Sequence, residues 1–159
     1  MVSIRPLQQE DFATVYAWEN MEELWDVSEQ KGPFSPSEIK DFMERCLNPD
    51  NDDCERWIIS SNNESVGAID LFDLDRASNS CGVGIFLAHK ENRGKGIGSK
   101  ALRQLLEMIE KRNYTSIRAI VFSSNEASIA LFQNNHFTFQ AHLIYKGKPA
   151  MQFCRTSKQ

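Results

Sequence analysis

The 159-residue sequence predicts a mixed α/β fold with about seven strands and about four helices. Helical and strand-like patterns follow one another in the order βαα-βββ-α-β-α-ββ, which is typical of mixed architectures. Three strand-like stretches, 56–60, 65–72 and 81–87, are separated by polar turns and therefore predict an antiparallel meander. The third stretch leads through a glycine-rich loop into a strongly periodic helix.

The N-terminal part of the chain supplies one strand and two helices. Residues 2–5 are interpreted as a short strand that ends at Pro6, and residues 9–18 have helical spacing. The stretch 35–38, Ser-Pro-Ser-Glu, combines an N-cap, a proline at the first helical position and a capping box, so it predicts a helix start. The acidic and aromatic stretch 20–32 between these helices is interpreted as a loop or a broken helix.

The second half of the chain begins with the longest predicted helix, at 97–112, where apolar residues recur every four positions. Residues 116–122 start with alternation, become wholly apolar and predict a central strand. A further helix is expected at 125–134. Residues 137–145 and 150–154 are interpreted as a closing hairpin.

Composition and charge limit the classes of protein to which this chain can belong. The net charge of −4 argues against broad nucleic-acid binding. No apolar run approaches the roughly 20 residues of a membrane span, and no secretory signal pattern opens the chain. Cys46, Cys54, Cys81 and Cys154 show no C-x-x-C spacing, so we expect free thiols, no metal site and a cytoplasmic protein. With no linker in the sequence, residues 1–159 are expected to form a single domain.

The glycine-rich loop 92–98 reads Asn-Arg-Gly-Lys-Gly-Ile-Gly and predicts an anion site. The first turn of a helix has backbone N–H groups without partners, and the helix dipole places positive charge there. Glycines allow close approach of a phosphate, and Arg93 and Lys95 add full charges. The loop matches neither the Walker A pattern nor the G-x-G-x-x-G dinucleotide fingerprint. The alternative is a solvated basic loop that caps a surface helix.

Within this loop, Arg93-x-x-Gly96-x-Gly98 resembles the R/Q-x-x-G-x-G/A motif of the GNAT superfamily of N-acetyltransferases. The stretch 125–137 is similar to the superfamily's N-x-x-A/S-x-x-L-Y/F-x-x-x-G-F segment, and the element order also matches. The stretches 18–36 and 69–73 look like the diamine and ribosomal-protein acetyltransferase group. The resemblance implies the GNAT fold, a single mixed, mostly antiparallel twisted sheet of about seven strands flanked by about four helices.

The resemblance also implies a site for acetyl-CoA. The loop amides would hold its pyrophosphate, and a strand edge would pair with its pantetheine arm beside the start of the following helix. The residues expected to bind the cofactor are Ile85, Phe86, Leu87, Arg93, Gly94, Lys95, Gly96, Ile97, Gly98, Ser99, Asn125, Ser128 and Phe132. For Asn125, a role as helix cap alone is an equally good interpretation.

Two residues depart from the family pattern. Phe132 stands where many relatives have a tyrosine that is thought to protonate the leaving thiolate, so no general acid is assigned there. His136 replaces the usual glycine and is interpreted as a turn residue. Tyr145 or Tyr114 is an alternative acid.

The implied reaction is direct acetyl transfer to an amine, which requires a carboxylate or a water molecule to take the amine proton. Asp70 is the candidate base, acting directly or through water. An anionic pocket with aromatic walls would suit a polyamine or a lysine side chain. The candidate acceptor-binding residues are Glu22, Trp25, Asp26, Asp70 and Asp73. For each acid alone, a solvated surface position is the competing interpretation.

Three functions remain open from the sequence. We favour transfer from acetyl-CoA to a small amine such as a polyamine. The alternatives are acetylation of a protein N-terminus or lysine, and a non-catalytic acyl-CoA-binding module. We expect a small-molecule amine or peptide as partner, no metal, no nucleic acid and no membrane, with a homodimer as a possible assembly.

Overall fold

The computed structural model describes residues 1–25, 32–51 and 53–156. The strands are β1 Val2–Pro6, β2 Cys54–Ser61, β3 Glu64–Asp75, β4 Ser80–Leu87, β5 Ser116–Phe122, β6 Thr138–Tyr145 and β7 Lys148–Thr156. The helices are α1 Phe12–Glu19, α2 Glu22–Trp25, α3 Pro36–Leu47, α4 Ile97–Lys111 and α5 Glu126–Asn134, with short 3-10 turns at Gln9–Asp11 and Lys90–Asn92. None of the helices in these described ranges is long and apolar enough to cross a bilayer.

The seven strands form one sheet in the order β1-β2-β3-β4-β5-β7-β6. Five of the six neighbouring pairs are antiparallel, and only β4 and β5 run parallel. The expected mixed, mostly antiparallel sheet is therefore confirmed, and so is the meander of β2, β3 and β4. Helix α4 makes the crossover between the two parallel strands, as such a connection requires.

The helices cover the two faces of the sheet with separate apolar clusters. On the face that we call the α4 face, Ala101, Leu105 and Ile109 of α4 pack with side chains of the central strands. On the opposite face, the α3 face, Val15 and Trp18 of α1 and Ile39 and Met43 of α3 pack on β2 and β3. Each fully buried large apolar side chain contributes about 1.5–3 kcal/mol, so both layers are firmly attached.

Most predicted elements are confirmed with small shifts of their ends. The capping box at α3 is present: the Glu38 backbone N–H donates to Ser35 Oγ at 3.1 Å, and the Ser35 N–H donates to Glu38 Oε1 at 3.1 Å. The helix expected at 9–18 is a 3-10 turn followed by α1. In the stretch interpreted as a loop or broken helix, the described residues include the one-turn helix α2.

The expectation of four free thiols was wrong for two of them. Cys46, near the end of α3, and Cys54, at the start of β2, form a disulfide with their Cα atoms 5.2 Å apart. The two residues are eight positions apart in the chain, and the turn between α3 and β2 brings them together. No spacing rule in the sequence signals such a pair. Cys81 and Cys154 are free.

The capping box provides a test of how α3 is held. Ser35→Ala leaves the Glu38 N–H without its side-chain acceptor, so the free energy of unfolding should fall by about 1 kcal/mol. Ser37→Ala, an exposed serine inside the first turn, is the matched control and should change it by less than about 0.5 kcal/mol. Urea unfolding measures both, and equal effects would contradict the capping role.

Candidate active site

The central feature of the sheet is a wedge-shaped opening between its two parallel strands. β4 and β5 are paired only at Ser80–Ser116, Cys81–Ile117 and Gly82–Arg118. Beyond these pairs, residues 83–87 of β4 pair with β3 alone, and residues 119–122 of β5 pair with β7 alone, within the described part of the chain. We call the space between 83–87 and 119–122 the wedge. Each of its sides is a strand edge with backbone donors and acceptors available.

The glycine-rich loop lies at the open end of the wedge, between β4 and α4. Gly94 and Gly96 have φ angles of 74° and 80°, in the left-handed region that glycine adopts without strain. Helix α4 starts after Gly96 with no side-chain cap. Within the described residues, none of the backbone N–H groups of 94–99 donates a hydrogen bond. Six consecutive donors at the positive end of a 15-residue helix make this loop competent to hold an anion.

Two side-chain contacts fix this loop to its surroundings. The Arg93 guanidinium donates from Nη2 to the Leu87 carbonyl oxygen at 3.0 Å, which ties the loop to the end of β4. The Asn135 amide donates from Nδ2 to Ser99 Oγ at 3.1 Å and to the Leu131 carbonyl at 2.8 Å. Because Ser99 Oγ accepts this bond, its own hydroxyl proton is directed elsewhere. The sequence analysis missed Asn135, which is buried and stands at an unspecified position of the 125–137 segment.

The start of α5 lies on the other side of the wedge and shows what Asn125 and Phe132 do in the fold. Asn125 Oδ1 accepts the Ser128 N–H at 3.2 Å, so its role as a helix cap is confirmed. Phe132 is 3% exposed, and its ring meets the Phe137 ring edge-on with centroids 5.0 Å apart. Phe132 is therefore part of the core on the α4 face.

The two tyrosines considered as acids lie at different ends of β5. Tyr114 is buried just before β5, near the end where β4 and β5 are paired, and so away from the wedge. Tyr145 lies at the other end, with its ring centroid 6.1 Å from that of Phe122, the last residue of β5. Of these two, Tyr145 is the one beside the wedge.

A buried ion network lies on the α3 face, beside the wedge. The Arg56 guanidinium makes a two-point contact with Asp70, Nε to Oδ1 at 2.8 Å and Nη2 to Oδ2 at 2.9 Å. Its Nη1 lies 3.4 Å from Glu19 Oε2. The guanidinium also sits over the rings of Phe42 and Phe86, 4.8 and 5.4 Å from their centroids. Sequence analysis missed Arg56 and Glu19.

The network has one more negative charge than positive charge. Burial of the Arg56 guanidinium lowers its pKa, but the Asp70 and Glu19 carboxylates outweigh burial and raise that pKa above its usual range. Two carboxylates share one guanidinium, so the network carries one net negative charge. Because both Asp70 oxygens accept from Arg56, a base role is left to their remaining lone pairs, and this role stays a prediction.

The other candidate acceptor residues are dispersed around this network. The Trp25 indole donates from Nε1 to the Glu19 carbonyl at 2.9 Å, which brings Trp25 next to the ion network. Asp73 pairs with Arg118 at 2.9 Å and its side chain is 70% exposed. Glu22 begins α2 and is exposed. Asp26 lies outside the described residues.

The free cysteine nearest the wedge is not available as a nucleophile. Cys81 is fully buried on the α4 face, and burial raises the pKa of its thiol to about 11. A thiol with such a pKa is almost entirely protonated at neutral pH. Cys81 is therefore not a candidate for a covalent intermediate.

A separate groove of about 460 Å³ lies between α4 and the turn that leads from α5 to β6. It contains Ser99 of the glycine-rich loop, but no residue of the wedge edges and none of the ion network. Its arginines and glutamates have both signs of charge, and Arg155 pairs with Glu110 at 3.2 Å. The unpaired loop amides and the wedge, rather than this groove, carry the features of the predicted site.

Known proteins are similar to this chain in sequence or in fold. The family model described as an acetyltransferase (GNAT) domain matches residues 2–138. Acetyltransferase PseH of Campylobacter jejuni is 23% identical over 137 residues, covering 83% of this chain and 80% of that protein. The structure of spermidine N-acetyltransferase from Vibrio cholerae in complex with CoA and spermine is similar with a TM-score of 0.87 at 15% identity, covering 98% of this chain and 95% of that one. RimL, a ribosomal L7/L12 alpha-N-protein acetyltransferase in complex with coenzyme A, has a TM-score of 0.85 at 17% identity, with coverage of 98% and 93%.

The ion network gives a stability prediction. Arg56→Met keeps the volume but leaves Asp70 and Glu19 without their cation, so the free energy of unfolding should fall by about 3 kcal/mol or more. Arg118→Met is the matched control, because its partner Asp73 is largely exposed, and it should change stability by less than about 1 kcal/mol. Chemical denaturation distinguishes the two; equal losses would mean that the network is not the buried unit described above.

Proposed function

Since the chain belongs to the GNAT acetyltransferase family, we propose that it transfers the acetyl group of acetyl-CoA directly to a primary amine, with a small amine such as a polyamine favoured. The observation that carries the proposal is the combination of the wedge with six unpaired amides at its open end. An extended ligand arm can pair with a free strand edge, while its anionic end binds at a helix start.

In this proposal, the amides of 94–99 hold the diphosphate of coenzyme A, assisted by the charges of Arg93 and Lys95. The pantetheine arm lies along Ile85, Phe86 and Leu87, with Asn125, Ser128 and Phe132 on the far side of the wedge. The availability of the donors supports this assignment. The position of Gly98 also supports it: a Cβ there would lie 3.7 Å from both Ile85 Cδ1 and Leu131 Cδ1, so the start of α4 lies close to both β4 and α5.

The chemistry then requires alignment more than a special nucleophile. Holding amine and thioester in reacting geometry can supply roughly 7–11 kcal/mol of the barrier reduction. Backbone N–H groups of the β4 edge can polarise the thioester carbonyl. A primary amine with a pKa near 10.4 must lose a proton, at a cost of about 4–5 kcal/mol at pH 7. We assign this proton to Asp70 through a water molecule, since Arg56 leaves some of its lone pairs free.

The preference for a cationic acceptor comes from the α3 face. The Glu19–Arg56–Asp70 network carries one net negative charge, and Phe86 and Trp25 lie beside it. A cation gains from both features. The spermidine N-acetyltransferase structure, which contains spermine, agrees with a polyamine, whereas RimL acts on a protein N-terminus. A peptide acceptor therefore remains the second candidate.

An acceptor screen tests the function. With acetyl-CoA as donor, release of free CoA thiol should be faster with spermidine than with lysine or short peptides, because the net negative charge of the network attracts a polycation. A reversed order would favour the protein acetyltransferase. Tight CoA binding with no turnover on any amine would instead indicate a non-catalytic acyl-CoA-binding module.

The cofactor assignment predicts a selective loss in Gly96→Glu. The new carboxylate would enter the anion site, so CoA binding measured by calorimetry should weaken by about 100-fold or more, given the strength of like-charge repulsion at close range. Gly147→Glu is the matched control: Gly147 has a φ of 79° and equally open surroundings among the described residues, but lies in the β6–β7 turn. Both variants suffer the same backbone strain. If both bind CoA equally well, the loop does not hold the diphosphate.

A further inference from the structure

We propose that Gly84 determines acceptor specificity: the space above its Cα on the α3 face receives the carbon chain of the amine, and the Asp70 carboxylate beside it faces the amine's positive charge. This proposal rests on the proposed function and extends it to a residue that no motif contains. It follows from the cross-strand register, from the environment of three strand glycines and from the ion network.

The register places Gly84 in one row with the network. Arg56 of β2 is opposite Asp70 of β3, and Asp70 is opposite Gly84 of β4. Residues directly opposite one another in antiparallel strands project to the same face. Since Arg56 contacts Phe42 of α3, the whole row belongs to the α3 face. Gly84 is the end of this row, and its strand edge borders the wedge.

Comparison of the glycines in β3 and β4 shows that Gly84 differs from the other two. A Cβ on Gly67 would collide with the Phe86 carbonyl oxygen, and a Cβ on Gly82 would collide with the Phe72 ring. Packing therefore explains both. At Gly84, apart from atoms of Gly84 itself and its two chain neighbours, the only heavy atom of the described residues within 4 Å of a Cβ would be Phe72 Cε1, at 3.8 Å, which is an ordinary contact. Its backbone is not in the left-handed region either, so no fold requirement explains a glycine here.

A glycine without a packing reason weakens a central strand, because it has no side chain to pack and lowers strand propensity. The glycine at position 84 instead keeps a passage open on the α3 face, above its own Cα. The passage adjoins the Phe72 ring, and the register places Asp70 next to Gly84 on the same face. The passage meets the wedge at the strand segment proposed to hold the thioester end of the cofactor. An aromatic wall and a carboxylate suit an alkyl chain that carries a positive charge.

A graded series at this one position tests the proposal. Gly84→Ala and Gly84→Val add one and three carbon atoms to the passage. We expect kcat/KM for spermidine to fall by about 10-fold in the alanine variant and by up to about 200-fold in the valine variant, the range for a small volume change in a binding pocket. The loss should be smaller for ethylamine, which reaches less far into the passage. The Kd for CoA should stay within about twofold of the wild-type value, because the added atoms lie on the α3 face and not at the glycine-rich loop.

Two further measurements keep the test decisive. Gly82→Ala is the structural contrast and should lower the melting temperature, because its Cβ would collide with the Phe72 ring. Gly84→Ala should keep the melting temperature of wild type. An unchanged melting temperature shows that the Gly84→Ala variant is folded, so the test remains valid even if Gly84→Val does not fold. Spermidine kcat/KM within about twofold of wild type in a folded Gly84→Ala variant would overturn the proposal, since a pocket methyl is worth more than that.

Failure of the proposed function gives a different result. If wild-type protein acetylates no amine, that function fails, and Gly84 is then tested by calorimetric titration of spermidine into the CoA-loaded protein. Weaker binding in Gly84→Ala than in wild type would support the assignment of the passage. Equal binding, or none to either protein, would overturn it.

Discussion

The site depends on where the pairing of β4 and β5 stops. These strands share only three residue pairs, the last at Gly82–Arg118, and beyond it each keeps its outer neighbour while its inner edge is open. A crossover helix between parallel strands starts at the carboxyl end of the first strand. The amino end of α4, with its unpaired amides, therefore lies at the mouth of the opening. Pairing of β4 with β5 along their whole length would leave no free strand edge beside those amides.

The two faces of the sheet contribute differently to this site. On the α4 face, Ala101, Leu105 and Ile109 are fully buried and hold α4 against the central strands. This packing sets the position of the loop amides before any ligand arrives, and preorganised donors need no rearrangement on binding. On the α3 face, the apolar packing also encloses a charged network, because Phe42 and Phe86 lie against Arg56. Apolar packing thus positions the glycine-rich loop, and ion pairing positions the carboxylates.

The parts of this structure that could be predicted from sequence are those with local causes. The capping box at Ser35, the glycine-rich loop and the periodic α4 all follow from residues within one or two turns of each other, and β5 was predicted with its observed ends. The Arg56–Asp70 pair depends on the register of β2 against β3, and the Asn135–Ser99 bond joins residues 36 positions apart. A signal for Arg56 was nevertheless present: it directly precedes the apolar run of β2, where a buried cation requires an anionic partner.

The distribution of these residues along the chain separates two tasks. The loop amides, Ser99 and Asn135 come from residues after β4, whereas Glu19, Phe42, Arg56 and Asp70 come from residues before it. Strand β4 lies between the two sets: one of its edges faces the wedge, and its Gly84 lies opposite Asp70. Changes in α1, α3 or the side chains of β2 and β3 on the α3 face can therefore alter the charge and shape next to Gly84 without touching the packing of α4, which lies on the opposite face. A fold divided in this way can keep its glycine-rich loop and wedge unchanged while the α3 face beside Gly84 varies.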